Sequence, residues 1–198
     1  LGDVYKRQIF KLLGAIAGLE AGRIRPETTV NCAGGGTYYG QYRSCNAIHG
    51  TVNLVNAIGR SCNVYFYELG TKLSREQLIE VAKRYGLGTE TGIDLLNEAT
   101  GILPTNEWVA QALPPRDGNW YLGETLHAGI GQGYWQTSPL QLCLMMAQIA
   151  NGGYKIEPRI ILKNEEEQKF NGLEEFINNK KLFPDDLGTL YEFIAKFR

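Results

Sequence analysis

Three polar residues in the first third of the chain have the types and spacing of a serine acyl-transfer site. Lys11 stands in an apolar helical pattern, and the triplet Ser61-Cys62-Asn63 follows fifty residues later. A serine hydroxyl becomes a nucleophile only when a neighbouring base removes its proton, and an enclosed lysine can be that base. Ser61 would relay the proton to the leaving amine, and Asn63 would hold the substrate amide. Alone, the pattern is weak, because Ser-x-Asn triplets are common.

Two elements of such a site do not occur in the 198 residues. Position 8, one helical turn before Lys11, is Gln instead of the Ser that would form the acyl-enzyme. No Lys-Thr-Gly or Lys-Ser-Gly occurs, although such a third motif binds the substrate carboxylate and its flanking backbone builds the oxyanion hole. A Gln amide cannot be acylated in this way, so we expect the chain as written to be inactive.

Three cysteines and a histidine form a second constellation. Cys32, Cys45, His49 and Cys62 are spaced Cys-x12-Cys-x3-His-x12-Cys, which matches the donor set of a structural Cys3His zinc site. Because Cys62 is the middle residue of the Ser-x-Asn triplet, a metal there would brace the triplet. A Cys32–Cys45 disulfide and unlinked thiols are the alternatives. Cys143 lies among apolar residues and is predicted to be buried.

The helices and strands that position these residues are predicted from the spacing of apolar residues and from helix-capping signals. Apolar residues from Ile9 to Ala21 recur with helical spacing, and Gly22 is a suitable stop. A glycine-rich loop is predicted over 23–48. Capping signals predict further helices, and short apolar runs predict two strands. The predicted helices begin after Asn53, at Val64 beyond the Ser61 triplet, after Ser74, after Thr105 or Asn106, and after Ser138. The predicted strands span 92–95 and 159–163, a loop spans 113–123, and 165–198 is helical.

Composition places the chain in the ordinary globular class. The formal net charge is −1 and 43% of the residues are hydrophobic, so no basic footprint for nucleic acid is present.

Four stretches, taken in order, resemble the class B penicillin-binding proteins, which are monofunctional peptidoglycan transpeptidases. The resemblance covers residues 9 to 163 and is specific, because the order and spacing of four unrelated motifs agree. Gly131-Gln-Gly-Tyr-Trp135, with Trp120-Tyr121 upstream, is most similar to the penicillin-binding protein 2 group of cell elongation. The stretches are Ile9–Gly22, Ser61–Gly70, Tyr85–Leu95 with Glu98–Pro104, and Gly129–Gly153.

The resemblance implies a mixed α/β (α+β) transpeptidase fold, an antiparallel sheet covered by helices beside a helical lobe. We expect this chain to hold mainly the helical lobe, with most of the sheet missing. The resemblance also implies serine-type D-Ala-D-Ala transpeptidase or carboxypeptidase chemistry on peptidoglycan stem peptides. It assigns Lys11 as base, Ser61 as proton relay and Asn63 as substrate-orienting amide. No cofactor takes part in this chemistry, so any zinc would be structural.

The resemblance further implies β-lactam binding, partners in the cell-wall elongation complex, and a place at the periplasmic face of a bacterial inner membrane. We expect residues 1–8 to be foreign sequence, and 9–198 to be a partial transpeptidase domain truncated before the third motif. Gly131, Gln132 and Gly133 either line the substrate cleft or turn the chain. Two other functions are open: a β-lactam sensor domain, which the Gly-Ile-Asp-Leu segment disfavours, and a non-catalytic scaffold, for which Gln8 would be native.

Overall fold

The structure, a computed structural model, describes residues 2–113 and 121–161. These residues form seven helices and four short antiparallel strands, so the prediction of a helix-dominated part of the transpeptidase fold is confirmed. The chain divides into two compact units, one of Leu1–Lys83 with Ile102–Gln136 and one of Arg84–Gly101 with Thr137–Arg198. The helices are α1 Gly2–Glu20, α2 Leu54–Gly59, α3 Asn63–Gly70, α4 Arg75–Arg84, α5 Asn106–Ala112, α6 Leu122–Gly129 and α7 Pro139–Ala150.

Helix α1 is the central element of the first unit. Its apolar residues recur at helical spacing, and Phe10, Leu13 and Ile16 are fully buried on the face that packs against α2, α3 and α6. Gly22 has a φ of +61° just past the helix end, the conformation in which glycine commonly stops a helix. The predicted end is therefore confirmed, whereas the helix begins at Gly2 instead of Ile9.

The loop predicted over 23–48 is wrong. Strand β1, Val30–Cys32, pairs with β4, Gly50–Val52, and strand β2, Gly35–Tyr38, forms a hairpin with β3, Gln41–Ser44. The two loop residues Tyr39 and Gly40 both have positive φ, as a type I′ turn requires. The glycines that suggested a loop instead admit close packing, because a Cβ on Gly35 would lie 2.2 Å from the Tyr42 hydroxyl.

A left-handed residue separates α2 from α3. Asn53 caps α2 by accepting the backbone N–H of Asn56, as predicted. Ser61 then adopts a φ of +52°, a conformation that is costly for a residue with a Cβ. The chain reverses there, and Cys62 becomes the residue that precedes the first turn of α3. This turn directs the Ser61–Asn63 triplet back towards α1.

The remaining predictions of helix starts are confirmed where a capping signal supported them. The capping boxes at Ser74 and Ser138 and the Thr105 cap are all present. Residues 92–95 are irregular instead of a strand, and so is the described part of 159–163. Asp94 there accepts the backbone N–H groups of Ile160 and Ile161, so the two segments meet through a side chain and not a ladder. Helix α6 begins inside the loop predicted over 113–123, and residues 165–198 lie outside the described residues.

Among the described helices, none combines the length and the apolar character that crossing a membrane demands.

The contact between the turn after α6 and helix α1 can be tested by substituting a glycine in that turn. Gly131 has a φ of +71°, and a Cβ there would lie 2.6 Å from the Cβ and Cγ of Phe10. Gly22 has a similar φ with nothing within 4 Å of an added Cβ. We expect Gly22→Ala to lower the free energy of unfolding by about 1–2 kcal/mol through φ alone. Gly131→Ala should carry the same backbone cost and lower the free energy of unfolding by about 1–3 kcal/mol more, because the added Cβ would overlap with Phe10. Urea denaturation measures both, and equal losses would contradict the close approach.

Candidate functional site

The three candidate catalytic residues meet at one point. The Nζ of Lys11 donates to the Ser61 Oγ at 2.8 Å, the Ser61 carbonyl oxygen at 2.7 Å and the Asn63 Oδ1 at 2.7 Å. An ammonium has three N–H donors, and these three acceptors use all of them. The structure therefore brings together side chains that are fifty positions apart in the sequence.

Lys11 is enclosed by the core of the first unit. Its side chain is 1% exposed, and its Nζ lies 5.8 Å from the centre of the Phe66 ring. Burial lowers the pKa of Lys11 to about 8, a change that nearby Cys45 and Cys62 oppose and that Arg7 reinforces. A substantial fraction of Lys11 is consequently neutral in mildly alkaline solution, so it can accept a proton as a general base.

Gln8 occupies the place from which the nucleophile would act. It lies on α1 one turn before Lys11, on the same face of the helix, and its side chain is exposed. A serine at this position would present its hydroxyl to solvent, next to the buried lysine. Lys11, Ser61 and Asn63 thus contact one another one helical turn from a side chain that cannot be acylated.

The sulfur atoms and the imidazole also converge. The His49 Nδ1 is 3.5 Å from the Cys32 Sγ and 3.5 Å from the Cys45 Sγ, and the Cys45 and Cys62 sulfurs are 4.0 Å apart. All four ligand atoms lie within 4.8 Å of one another, and all four cysteines of the chain are free thiols. Strand β1 carries Cys32, strand β3 ends just before Cys45, and the turn before α3 supplies Cys62.

The cluster has the dimensions of a tetrahedral zinc centre. Zinc bonds of about 2.3 Å to sulfur and 2.05 Å to nitrogen place two sulfurs about 3.8 Å apart and sulfur about 3.6 Å from nitrogen. The corresponding separations here are 4.0 Å and 3.5 Å. Three thiols and one imidazole are, in addition, a donor set that zinc prefers. The four ligand atoms lie within 4.8 Å of one another, so the residues present fit a zinc ion once the wider pairs close to these separations.

The cluster is joined to the triplet through the backbone. The N–H of Asn63, at the start of α3, donates to the Cys45 Sγ at 3.2 Å, and Cys62 lies between Ser61 and Asn63. The side-chain amide nitrogen of Asn63, Nδ2, also lies 3.5 Å from the Ser44 carbonyl oxygen. Sequence reasoning placed Cys62 in the triplet but missed these contacts, because no sequence signal pairs a strand-end cysteine with a distant helix start.

Gly131, Gln132 and Gly133 lie in the turn after α6. Gly131 packs against Phe10, the neighbour of Lys11, while Gln132 is half-buried and Gly133 is exposed. A Cβ on Gly133 would meet the Glu124 carboxylate at 2.8 Å. These contacts explain both glycines as turn residues, and a role of the three residues in the substrate cleft stays a prediction. Cys143, predicted to be buried, is exposed.

Comparisons with known proteins show what the chain is similar to. The family model of the penicillin-binding protein transpeptidase domain matches residues 9–181. The peptidoglycan D,D-transpeptidase MrdA of Salmonella typhimurium strain SL1344 is 34% identical over 155 residues, which are 76% of this chain and 24% of that protein. The chain thus spans about a quarter of that relative.

Solved structures of penicillin-binding proteins also match the chain. A penicillin-binding protein (PBP2) from Helicobacter pylori matches with a TM-score of 0.78 at 27% identity, covering 96% of this chain and 33% of that one. The complex between PBP2 and MreC from the same organism matches with a TM-score of 0.77 at 27% identity, with the same coverage. The overall likeness therefore extends over nearly the whole chain and a third of each neighbour.

The lowered pKa of Lys11 predicts a pH dependence of stability. Because the folded pKa of about 8 lies below the ordinary value of 10.5, the folded protein binds fewer protons than the unfolded chain between these pH values. Stability contributed by Lys11 must therefore rise as pH rises through this window and be lowest below it. Relative to Lys11→Met, the free energy of unfolding should rise by up to about 3 kcal/mol. Denaturation from pH 7 to pH 10.5 measures this, and a constant difference would refute the shift.

Proposed function

The chain belongs to the penicillin-binding protein transpeptidase family, and we propose that its intact protein crosslinks peptidoglycan stem peptides by serine acyl transfer. The observation that carries this proposal is the buried Lys11 ammonium, whose three donors reach Ser61 and Asn63. The four-motif resemblance supports the same reaction. A serine is required at position 8, and a third motif with its lysine is required elsewhere in the protein.

The first half-reaction forms an ester. The serine oxygen attacks the carbonyl carbon between the two D-Ala residues of a stem peptide, and its proton passes to neutral Lys11. Ser61 relays a proton to the departing amine, the carbon–nitrogen bond breaks, and D-Ala leaves. Asn63 orients the substrate amide. In the second half, the amine of a neighbouring stem peptide attacks the ester and the serine is released, whereas attack by water gives the carboxypeptidase reaction.

We further propose that Gln8 makes the chain as written unable to perform the first half-reaction. β-Lactams would acylate the restored serine because they mimic the D-Ala-D-Ala donor. The H. pylori PBP2 structure with MreC supports partners in the cell-wall elongation complex. Crosslinking of peptidoglycan places the reaction at the periplasmic face of the inner membrane.

A non-catalytic scaffold is the second candidate, and the exposed Gln8 favours it. A scaffold could keep the family's protein contacts without acylation. The two functions are distinguished by the intact gene, because a native serine at position 8 belongs to the enzyme and a native glutamine to the scaffold.

Labelling with a fluorescent penicillin tests the enzyme. In the full-length protein with its third motif, Gln8→Ser should react with the label, and Lys11→Ala in that background should slow acylation by roughly 10²–10⁴-fold, the usual contribution of a general base. Lys72→Ala is the matched control, since Lys72 is an exposed lysine of the same unit. Absence of label in the serine protein would rule out the proposed activity, and equal rates for Lys11→Ala and Lys72→Ala would remove Lys11 as the base.

We also propose that Cys32, Cys45, His49 and Cys62 hold a structural zinc ion. The ligand distances and the donor set support it. The ion would neutralise the thiolates, and it would fix the position of Cys62 and therefore of Ser61 and Asn63. It would take no part in the bond making and breaking.

Elemental analysis under reducing conditions tests the zinc. We expect about one equivalent per chain. His49→Ala should release it and lower the melting temperature, whereas Cys143→Ser, which changes a thiol outside the cluster, should keep it. A content far below one equivalent in the unmodified protein would exclude the zinc centre.

A further inference from the structure

The three sulfurs of the cluster differ in access to solvent. Cys32 and Cys62 are completely buried, whereas Cys45 is half-buried. Cys45 is therefore the sulfur that a dissolved oxidant meets first. The Cys62 sulfur lies 4.0 Å from it, so a movement of about 2 Å separates the pair from bonding distance.

Cys32 is held by other groups. Its thiol faces the Ala47 carbonyl oxygen at 3.5 Å and the His49 ring at 3.5 Å. Moving its sulfur to Cys45 would break both contacts. Cys62 lies in the turn just before α3, next to the left-handed Ser61, and its side chain makes no capping hydrogen bond to the helix. Pairing of Cys62 with Cys45 leaves both of these contacts of Cys32 in place.

We propose that Cys45 and Cys62 are a site of oxidative modification, at which a small-molecule disulfide converts the pair into an intramolecular disulfide and disables the catalytic triplet. The pairing differs from the Cys32–Cys45 disulfide that spacing alone suggests. The effect on catalysis rests on the proposed transferase function, whereas formation of the disulfide does not.

The chemistry is thiol–disulfide exchange. The Cys45 sulfur attacks one sulfur of the oxidant, a mixed disulfide forms, and the first thiol of the oxidant leaves. The Cys62 sulfur then attacks Cys45 and expels the second. Two electrons move from the protein pair to the oxidant, and the protons of the two cysteines end on its two thiols. Where zinc is bound, its thiolates are consumed and the ion is released.

The consequence for the triplet follows from its contacts. Closing the sulfurs from 4.0 Å to a bond of about 2 Å displaces Cys62, which is bonded to Ser61 on one side and Asn63 on the other. The same step changes the sulfur that accepts the Asn63 N–H. Two of the three acceptors of Lys11 belong to Ser61 and the third to Asn63, so all three would shift relative to the base.

The test uses full-length protein carrying Gln8→Ser and, to remove the exposed thiol outside the cluster, Cys143→Ser. Glutathione disulfide is the oxidant, and peptide mapping, zinc release and penicillin acylation are followed together. We expect a Cys45–Cys62 crosslink, loss of bound zinc, and an acylation rate lowered about 10²-fold, as misplacement by about 1 Å can cause. Dithiothreitol with added zinc should restore the rate.

Variants separate the alternatives. Cys32→Ser should still form the crosslink, whereas Cys62→Ala should keep an unresolved glutathione adduct on Cys45. A Cys32–Cys45 crosslink, or an adduct at Cys45 that persists in the protein with all three cluster cysteines, would overturn the proposal. A crosslink that leaves the acylation rate unchanged would overturn the effect on the triplet. If penicillin acylates neither the oxidised nor the reduced protein, the proposed transferase function is wrong. Peptide mapping still shows whether the disulfide between Cys45 and Cys62 forms.

Discussion

A buried ammonium that must satisfy three N–H donors is the constraint on which the site depends. Lys11 is 1% exposed, and an unpaired charge at that depth would cost several kcal/mol. The chain meets the demand with two oxygens of Ser61 and one of Asn63. Burial lowers the pKa of Lys11, and the nearby Cys45 and Cys62 oppose this change, which leaves the pKa at about 8.

The acceptors are held in place from two sides. Lys11 contacts Ser61 and Asn63 from α1, and the sulfur of Cys45, the residue after β3, accepts the Asn63 N–H. Ser61 keeps a left-handed backbone that is unfavourable alone, so these contacts must offset its cost. The cysteine cluster and the triplet are consequently one structural unit, in which Cys62 belongs to both. A change of metal content or oxidation state in the cluster would act on the base through this residue.

Sequence reasoning reached the parts of the site that local rules govern. The end of α1, the Asn53, Thr105 and Ser138 caps and the apolar enclosure of Lys11 follow from period and capping. It did not reach the two β pairs, because their strands of three or four residues are defined by cross-strand partners and not by their own propensity. The Cys45–Asn63 contact depends on those pairs, so it too was inaccessible. The prediction that Cys143 is buried was wrong, because apolar neighbours in sequence do not decide which face of α7 is covered.

None of the contacts that preorganise the base involves the side chain of residue 8. Lys11 takes its three acceptors from Ser61 and Asn63, and Gly131 packs against Phe10. Gln8 is exposed, so replacing it by serine removes no buried group and leaves no cavity. The hydroxyl would therefore enter an environment that is already assembled. The position and the pKa of Lys11 are therefore set by residues other than residue 8.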